Sequence, residues 1–115
     1  MINIDKDLRK TISHFGYESQ IKKLNEECFE VIDASKELMN FMTYSPKDAL
    51  VMLVDGKRYT LEAYEKKLET HLAEEIADVI NVLRQIQLYF GISDSKVDRY
   101  RLSKNERTIK KIKKD

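Results

Sequence analysis

Apolar residues recur at helical spacing along most of the chain. The spacing by four of Ile4, Leu8 and Ile12 predicts an amphipathic helix over residues 3–13. An alternation of three and four residues predicts a second helix over residues 18–41. The apolar side predicted for this second helix consists of Ile21, Leu24, Cys28, Val31, Leu38 and Met42.

The second half of the chain predicts two more helices. Thr60 is suited to cap a long third helix, which Gly91 ends. Ser93 or Ser95 caps a fourth helix that continues through the basic end of the chain. The predicted apolar side of the third helix consists of Leu61, Tyr64, Leu68, Leu72, Ile76, Val79, Leu83 and Ile86.

Turn residues separate the second and third helices. Ser45 and Pro46 have the residue types of an N-cap and a first helical position, which predicts a brief helical turn ending at Leu50. The Asp-Gly pair within residues 51–59 is a hairpin signal, but the same pair also suits a loop between helices. We favour a loop with a small β-ribbon.

Length and composition predict one all-α domain spanning residues 1–115. The chain is 42% hydrophobic and has only 3 glycines and 1 proline, which favours helices over a sheet. We therefore expect a four-helix bundle with mostly antiparallel helices. Exposed Tyr, Met and Ile side chains leave apolar surface uncovered, so we expect a homodimer or a homotetramer.

Charge is unevenly distributed along the chain. Residues 1–95 carry 12 Lys and Arg against 17 Asp and Glu, whereas residues 96–115 carry 9 against 3. The basic end is suited to bind an anion, although a solubilising helix end explains it equally well. No signal-type apolar segment occurs at the N-terminus, and no apolar run is long enough to cross a membrane, so a cytoplasmic protein is expected.

Two carboxylate clusters give the clearest functional signal. Glu26, Glu27 and Glu30 lie in the second predicted helix, and Glu75 and Asp78 lie in the third. Carboxylates beside a buried stripe destabilise a helix pair unless a cation or another partner neutralises them. Two helices with the same acidic spacing therefore suggest a shared cation.

Both acid pairs have the same rotational offset from the apolar side of their helix at about 100° per residue. If the helices pack by these sides, Glu27, Glu30, Glu75 and Asp78 converge at the edge of the interface. Carboxylates without a histidine-rich cluster favour Mg²⁺ or Mn²⁺ over zinc or a di-iron centre. The alternative is a solvated acidic face neutralised by neighbouring lysines.

The two clusters resemble the motifs of the MazG-like all-α nucleoside triphosphate pyrophosphohydrolases. In that family Glu-Glu-x-x-Glu precedes Glu-x-x-Asp on a later helix, and the resemblance covers roughly residues 17–111. It implies Mg²⁺-dependent cleavage of an NTP or dNTP to the monophosphate and pyrophosphate. Glu27, Glu30, Glu75 and Asp78 would hold the metal, and Glu26 would support the site.

The resemblance also implies residues that contact the substrate. Lys104 and Arg107, three apart on the basic helix, are the best candidates for the phosphates, with Arg101 and Lys111 as the alternatives. Asn81, one turn beyond the second acidic cluster, and Gln20, two turns before the first, are candidates for the sugar or base. The segment between the two motifs is longer than in compact family members, so the substrate cannot be assigned by resemblance.

Three other functions are compatible with the sequence. A phosphoribosyl-ATP pyrophosphohydrolase would use the same fold, and a non-catalytic helical interaction module would use the surface of the bundle. Nucleic-acid binding through residues 96–115 is disfavoured by the acidic body and the lack of a recognition motif. Neither a nucleic acid nor a membrane is therefore expected as a partner.

Overall fold

The computed structural model describes residues 3–44 and 51–114, and four helices dominate this part of the chain. The prediction of an all-α fold is confirmed. The helical turn predicted at residues 45–50 lies outside the described residues. The elements in chain order are α1 (Ile4–Phe15), α2 (Tyr17–Tyr44), β1 (Met52–Val54), β2 (Lys57–Tyr59), α3 (Leu61–Tyr89) and α4 (Asp94–Lys114).

Side-chain caps fix the starts of three helices. Asn3, Thr60 and Ser93 each accept a hydrogen bond from the backbone N–H three residues later, at 3.0, 3.1 and 3.2 Å. Ser93 rather than Ser95 is therefore the cap of α4. Gly16 separates α1 from α2 with a φ of 89°, a backbone conformation that favours glycine.

The segment expected to be mainly a loop forms a β-hairpin. Strands β1 and β2 pair antiparallel, with Met52 opposite Tyr59 and Val54 opposite Lys57. Asp55 and Gly56 at the turn have positive φ values of 50° and 78°. Two positive φ values in a two-residue turn are the hairpin geometry that Asp-Gly favours.

Helices α2 and α3 pack against each other in antiparallel directions. Tyr17, at the start of α2, stacks on Tyr89, at the end of α3, with ring centroids 5.5 Å apart. Phe41, near the end of α2, contacts Tyr64, near the start of α3, at 5.2 Å. The buried and half-buried stripe of α2 consists of Gln20, Leu24, Glu27, Val31, Ala34, Leu38 and Phe41. The buried and half-buried residues of α3 include Leu68, Leu72, Glu75, Val79, Val82, Gln85 and Ile86.

Helix α1 closes one end of this helix pair. Leu8 and Ile12 are buried as predicted, whereas Ile4 is 61% exposed. Arg84 of α3 donates to Asp5 of α1 from Nε at 2.9 Å and from Nη2 at 2.7 Å, and it also pairs with Asp94 at the start of α4. One guanidinium therefore joins three helices.

Helix α4 lies outside the packed helices. None of its residues is buried, and it packs along none of the other helices that the structure describes. The chain has the four helices predicted from the sequence, but within one chain only three of them pack together. The prediction that Cys28 belongs to the core is also wrong, because this side chain is exposed. Among the described residues, no helix is long and apolar enough to cross a membrane.

We expect Arg84→Met to lower thermal stability and to change its pH dependence. Arg84 lowers the pKa of both Asp5 and Asp94 through hydrogen bonds. Carboxyls with lowered pKa stabilise the fold above their ordinary pKa of 3.8 and lose that contribution as the pH falls further. Unfolding temperatures from pH 2 to 7 should therefore fall less steeply in acid for the variant than for the wild type.

The control for this measurement is Arg101→Met. Arg101 pairs with Asp98 within one exposed helix, at 3.4 Å, and joins no other element. Exposed pairs of this kind contribute little to stability. Equal effects of the two substitutions would show that Arg84 does not hold the helices together.

Candidate acidic site

Two glutamates take positions in the stripe between α2 and α3. Glu27 lies between Leu24 and Val31 in the repeat of half-buried positions, and Glu75 lies between Leu72 and Val79. The sequence placed these carboxylates at the edge of the apolar side, whereas the structure places them within it. Because α2 and α3 are antiparallel, the two glutamates meet near the middle of the helix pair.

Four carboxylates come together at this point. One oxygen from each of Glu27, Glu75 and Asp78 lies within 4.8 Å of the others. Glu30 is within hydrogen-bonding reach of both Glu27 and Glu75. The structure therefore brings together three of the four residues predicted as metal ligands, with Glu30 beside them. We name Glu27, Glu30, Glu75 and Asp78 the acid group.

The electrostatics of the acid group are unfavourable for a protein without a cation. Burial, followed by the negative charges of Glu30 and Asp78, raises the pKa of Glu27 to about 7. The pKa of Glu75 is also raised, first by its hydrogen bond with Glu30 and then by burial. Like charges in a partly buried site favour the protonated form of a carboxyl.

Positive charge near the acid group is sparse. His71 Nδ1 lies 3.8 Å from Glu75 Oε1 and is half exposed. His71 lowers the pKa of Glu75, but the opposing effects are larger and the net shift is upward. Among the ion pairs of the described residues, the His71–Glu75 contact is the one that involves the acid group.

The buried carboxylate oxygens fit a divalent cation. Glu27 Oε2 and Glu75 Oε2 are fully buried, and within the described part of the chain neither has a hydrogen-bond partner. A buried oxygen of this kind is costly unless something binds it. A set of carboxylate oxygens without sulfur or imidazole is the chemistry that Mg²⁺ and Mn²⁺ prefer.

The other predicted site residues are not gathered at the acid group. Glu26 and Asn81 are exposed on the helices that carry the group, and neither is among its clustered oxygens. Gln20 is only 3% exposed and lies within the helix packing. Lys104 and Arg107 lie on α4, which packs along none of the other described helices.

The sequence prediction missed a second buried glutamine. Gln85 of α3 is 4% exposed, and its Oε1 has no hydrogen-bond partner among the described residues, as is also true of Gln20. Both glutamines belong to the half of the helix pair that α1 closes. The antiparallel register places the end of α3, which carries Gln85, beside the start of α2, which carries Gln20. An antiparallel α2–α3 pair assumed from the sequence would therefore have identified Gln85 as a neighbour of Gln20.

Comparison of the chain with protein-family models, curated proteins and solved structures finds no match in any of the three. The function is therefore inferred from the residues and their geometry.

We expect the metal-free protein to lose stability as the pH rises from about 4.5 to about 7. The folded state holds a proton on Glu27 up to about pH 7, whereas an ordinary glutamate releases it near 4.5. The folded state therefore binds more protons in this range, and the free energy of unfolding falls with rising pH. Thermal unfolding measured in a chelating buffer at several pH values tests this expectation.

The variant Glu27→Gln should remove most of that pH dependence and raise stability at pH 7.5, because a neutral amide replaces the titrating carboxyl. Glu74→Gln is the control, since it is the same substitution at an exposed glutamate of α3 that is not among the clustered oxygens of the acid group. A wild-type protein with constant stability from pH 4.5 to 7.5 would contradict the described electrostatics.

Proposed function

We propose that this protein is a metal-dependent nucleoside triphosphate pyrophosphohydrolase of the MazG-like type. It would convert an NTP or dNTP to the monophosphate and pyrophosphate, with Mg²⁺ or Mn²⁺ as the cofactor. A role in the control of nucleotide pools in the cytoplasm would follow from that activity. A phosphoribosyl-ATP pyrophosphohydrolase is the narrower form of the same proposal.

The observation that carries the proposal is the placement of Glu27 and Glu75 in the helix interface. Apolar residues at these positions would stabilise the helix pair, whereas two carboxylates with unpartnered buried oxygens destabilise it. These oxygens would no longer carry that cost if they held a divalent cation. Exposed acidic patches on helices carry no such penalty, so a solvated face does not account for this arrangement.

The residues present suit hydrolysis of a phosphoanhydride. Glu27, Glu30, Glu75 and Asp78 would hold the cation, which supplies neutralisation of phosphate charge and polarisation of a bound water. In the reaction an oxygen–phosphorus bond forms from water and the bond between the α- and β-phosphates breaks. The proton of the water passes to a base.

The phosphates of the substrate need positive charge beyond that of the cation. Triphosphates are commonly bound by Lys and Arg together with divalent metal. The chain carries its densest basic segment in α4, which includes Lys104 and Arg107. We therefore retain these two residues as candidates for phosphate binding. Either α4 of the same chain would approach the acid group when substrate binds, or another copy of the chain would supply its α4.

We expect Mg²⁺-dependent release of pyrophosphate from at least one nucleotide in a panel of NTPs, dNTPs and phosphoribosyl-ATP. Asp78→Asn should lower the rate by about 100-fold or more, because loss of a metal ligand removes several kcal/mol of stabilisation from the transition state. Pyrophosphate and monophosphate are measured together, so that release of inorganic phosphate by a different reaction is recognised.

Glu74→Gln serves again as the control and should keep the wild-type rate. Thermal unfolding with and without Mg²⁺ gives a second readout, since a bound ion stabilises the folded state even when no substrate in the panel is correct. Absence of turnover, together with unfolding temperatures that Mg²⁺ does not change, would contradict the proposal and favour a helical interaction module.

A further inference from the structure

One side of the α2–α3 pair carries the exposed carboxylates of the acid group. Glu30 and Asp78 are exposed, and both act on the pKa of Glu27, so they lie on the same side of the pair. Each directly precedes a half-buried residue of the packing, Val31 or Val79. At about 100° per residue, the other residues that directly precede packed positions face the same way. We name the surface formed by these preceding residues of α2 and α3 the acid side.

The acid side differs in charge between the two directions that lead away from the acid group. Towards the β-hairpin, its carboxylates are Asp33 and Glu37 of α2 and Glu74 of α3. Its cationic residues in that direction are Lys67 and His71 of α3. A bound anion that extends towards the hairpin would therefore meet three carboxylates.

Towards α1, the acid side carries less negative charge. Among the described residues that directly precede packed positions in this direction, Glu26 is the one carboxylate. The same stretch carries the cationic side chain of Lys23 and the neutral side chains of Ser19 and Asn81. Like charges repel and opposite charges attract across such short distances. An anion bound at the acid group is therefore repelled less when it extends towards α1.

Lys23 lies one helical turn from the acid group. It precedes Glu27 by four residues of α2, which corresponds to about 6 Å along the helix axis. The contacts of Tyr17 with Tyr89 and of Phe41 with Tyr64 fix the antiparallel register of the two helices. This register places Lys23 at the level of residues 82–83 of α3, just beyond Asn81.

The positive charge of Lys23 is not used within the described part of the chain. A lysine and a glutamate four residues apart on a helix commonly pair, yet Lys23 is exposed and takes part in none of the ion pairs of the described residues. The charges that shift the pKa of Glu27 are those of its carboxylate neighbours. Arg84, further towards α1, differs because Asp5 and Asp94 already pair with it. The ammonium group of Lys23 is therefore available for a ligand.

Helix α1 closes the acid side beyond Lys23. Gln85 follows Asp78 by seven residues and therefore lies on the same line of α3. It is nevertheless only 4% exposed, because α1 packs against α3 at this end of the pair. The open stretch between the acid group and α1 is thus about two helical turns long, or roughly 10 Å. Lys23 and Asn81 lie within this stretch, next to the position of the metal.

We propose that Lys23 binds the phosphates of the substrate in the same copy of the chain that holds the metal, with the phosphate chain directed from the acid group towards α1. This inference rests on the proposed function and names a further residue of that site. When the bond between the α- and β-phosphates breaks, its electron pair remains on the departing pyrophosphate, and an ammonium group beside it offsets that charge. Helix α4 begins at the same end, where Arg84 pairs with Asp94, so Lys104 and Arg107 would add to Lys23.

The test is the affinity of the full chain for inorganic pyrophosphate in the presence of Mg²⁺, measured by titration calorimetry. Lys23→Gln should weaken binding by about tenfold or more, because it removes a charge-assisted contact with the phosphates. Lys22→Gln is the matched control and should keep the wild-type affinity, since Lys22 is the adjacent exposed lysine but points about 100° further around α2. Lys67→Gln tests the opposite direction, towards the hairpin, and should also keep the wild-type affinity.

Two further measurements separate this inference from the proposed function. Mg²⁺ should raise the unfolding temperature of Lys23→Gln as much as that of the wild type, which shows that the variant folds and keeps the metal site. Weaker pyrophosphate binding by Lys23→Gln supports the assignment even when no nucleotide in the panel is hydrolysed, an outcome that would contradict only the proposed function. Where a nucleotide is hydrolysed, kcat/KM should fall in Lys23→Gln and not in Lys22→Gln.

Four results would overturn the assignment of Lys23. They are a wild type that does not bind pyrophosphate with Mg²⁺, wild-type affinity in Lys23→Gln, an equal loss in Lys22→Gln, and a larger loss in Lys67→Gln. The last of these would direct the phosphate chain towards the hairpin instead of α1.

Discussion

Two carboxylates in the interface between α2 and α3 constrain the rest of the structure. Glu27 and Glu75 occupy positions at which a helix pair ordinarily places Leu or Val, and their buried oxygens have no partner in the described part of the chain. The packing above and below them must therefore hold the helices together. Aromatic contacts at both ends of the pair, Tyr17 with Tyr89 and Phe41 with Tyr64, supply part of that packing.

Stability and function oppose each other at the acid group. A substitution that removes charge from Glu27 should stabilise the metal-free fold, yet it also removes an oxygen that a cation would bind. Functional sites typically contain groups that lower the stability of the fold in this way. Arg84 differs from the acid group, because each carboxylate that it contacts is paired with its positive charge. The contact joins three helices and stabilises the fold.

Much of the fold follows from local rules that a sequence displays. The caps at Asn3 and Thr60 and the Asp-Gly turn depend on residue type within a few positions, and the structure shows them. The rotation of α2 was predicted less well, because two apolar repeats run along this helix one residue apart. The stripe through Leu24 and Val31 is half-buried, and the adjacent one through Cys28 remains exposed. Hydrophobic periodicity alone does not show which of two such repeats packs against the neighbouring helix.

The same ambiguity explains why the predicted four-helix bundle differs from the packing of a single chain. A helix that carries two apolar stripes has two surfaces to cover, and one chain provides a partner for only one of them. The acidic spacing in α2 and α3 identified the acid group because those carboxylates lie on the side that the chain itself completes. Lys104 and Arg107 could not be placed in the same way, since α4 has no extended contact within the described chain. The sequence thus predicts best those features whose interacting partners lie in the same copy.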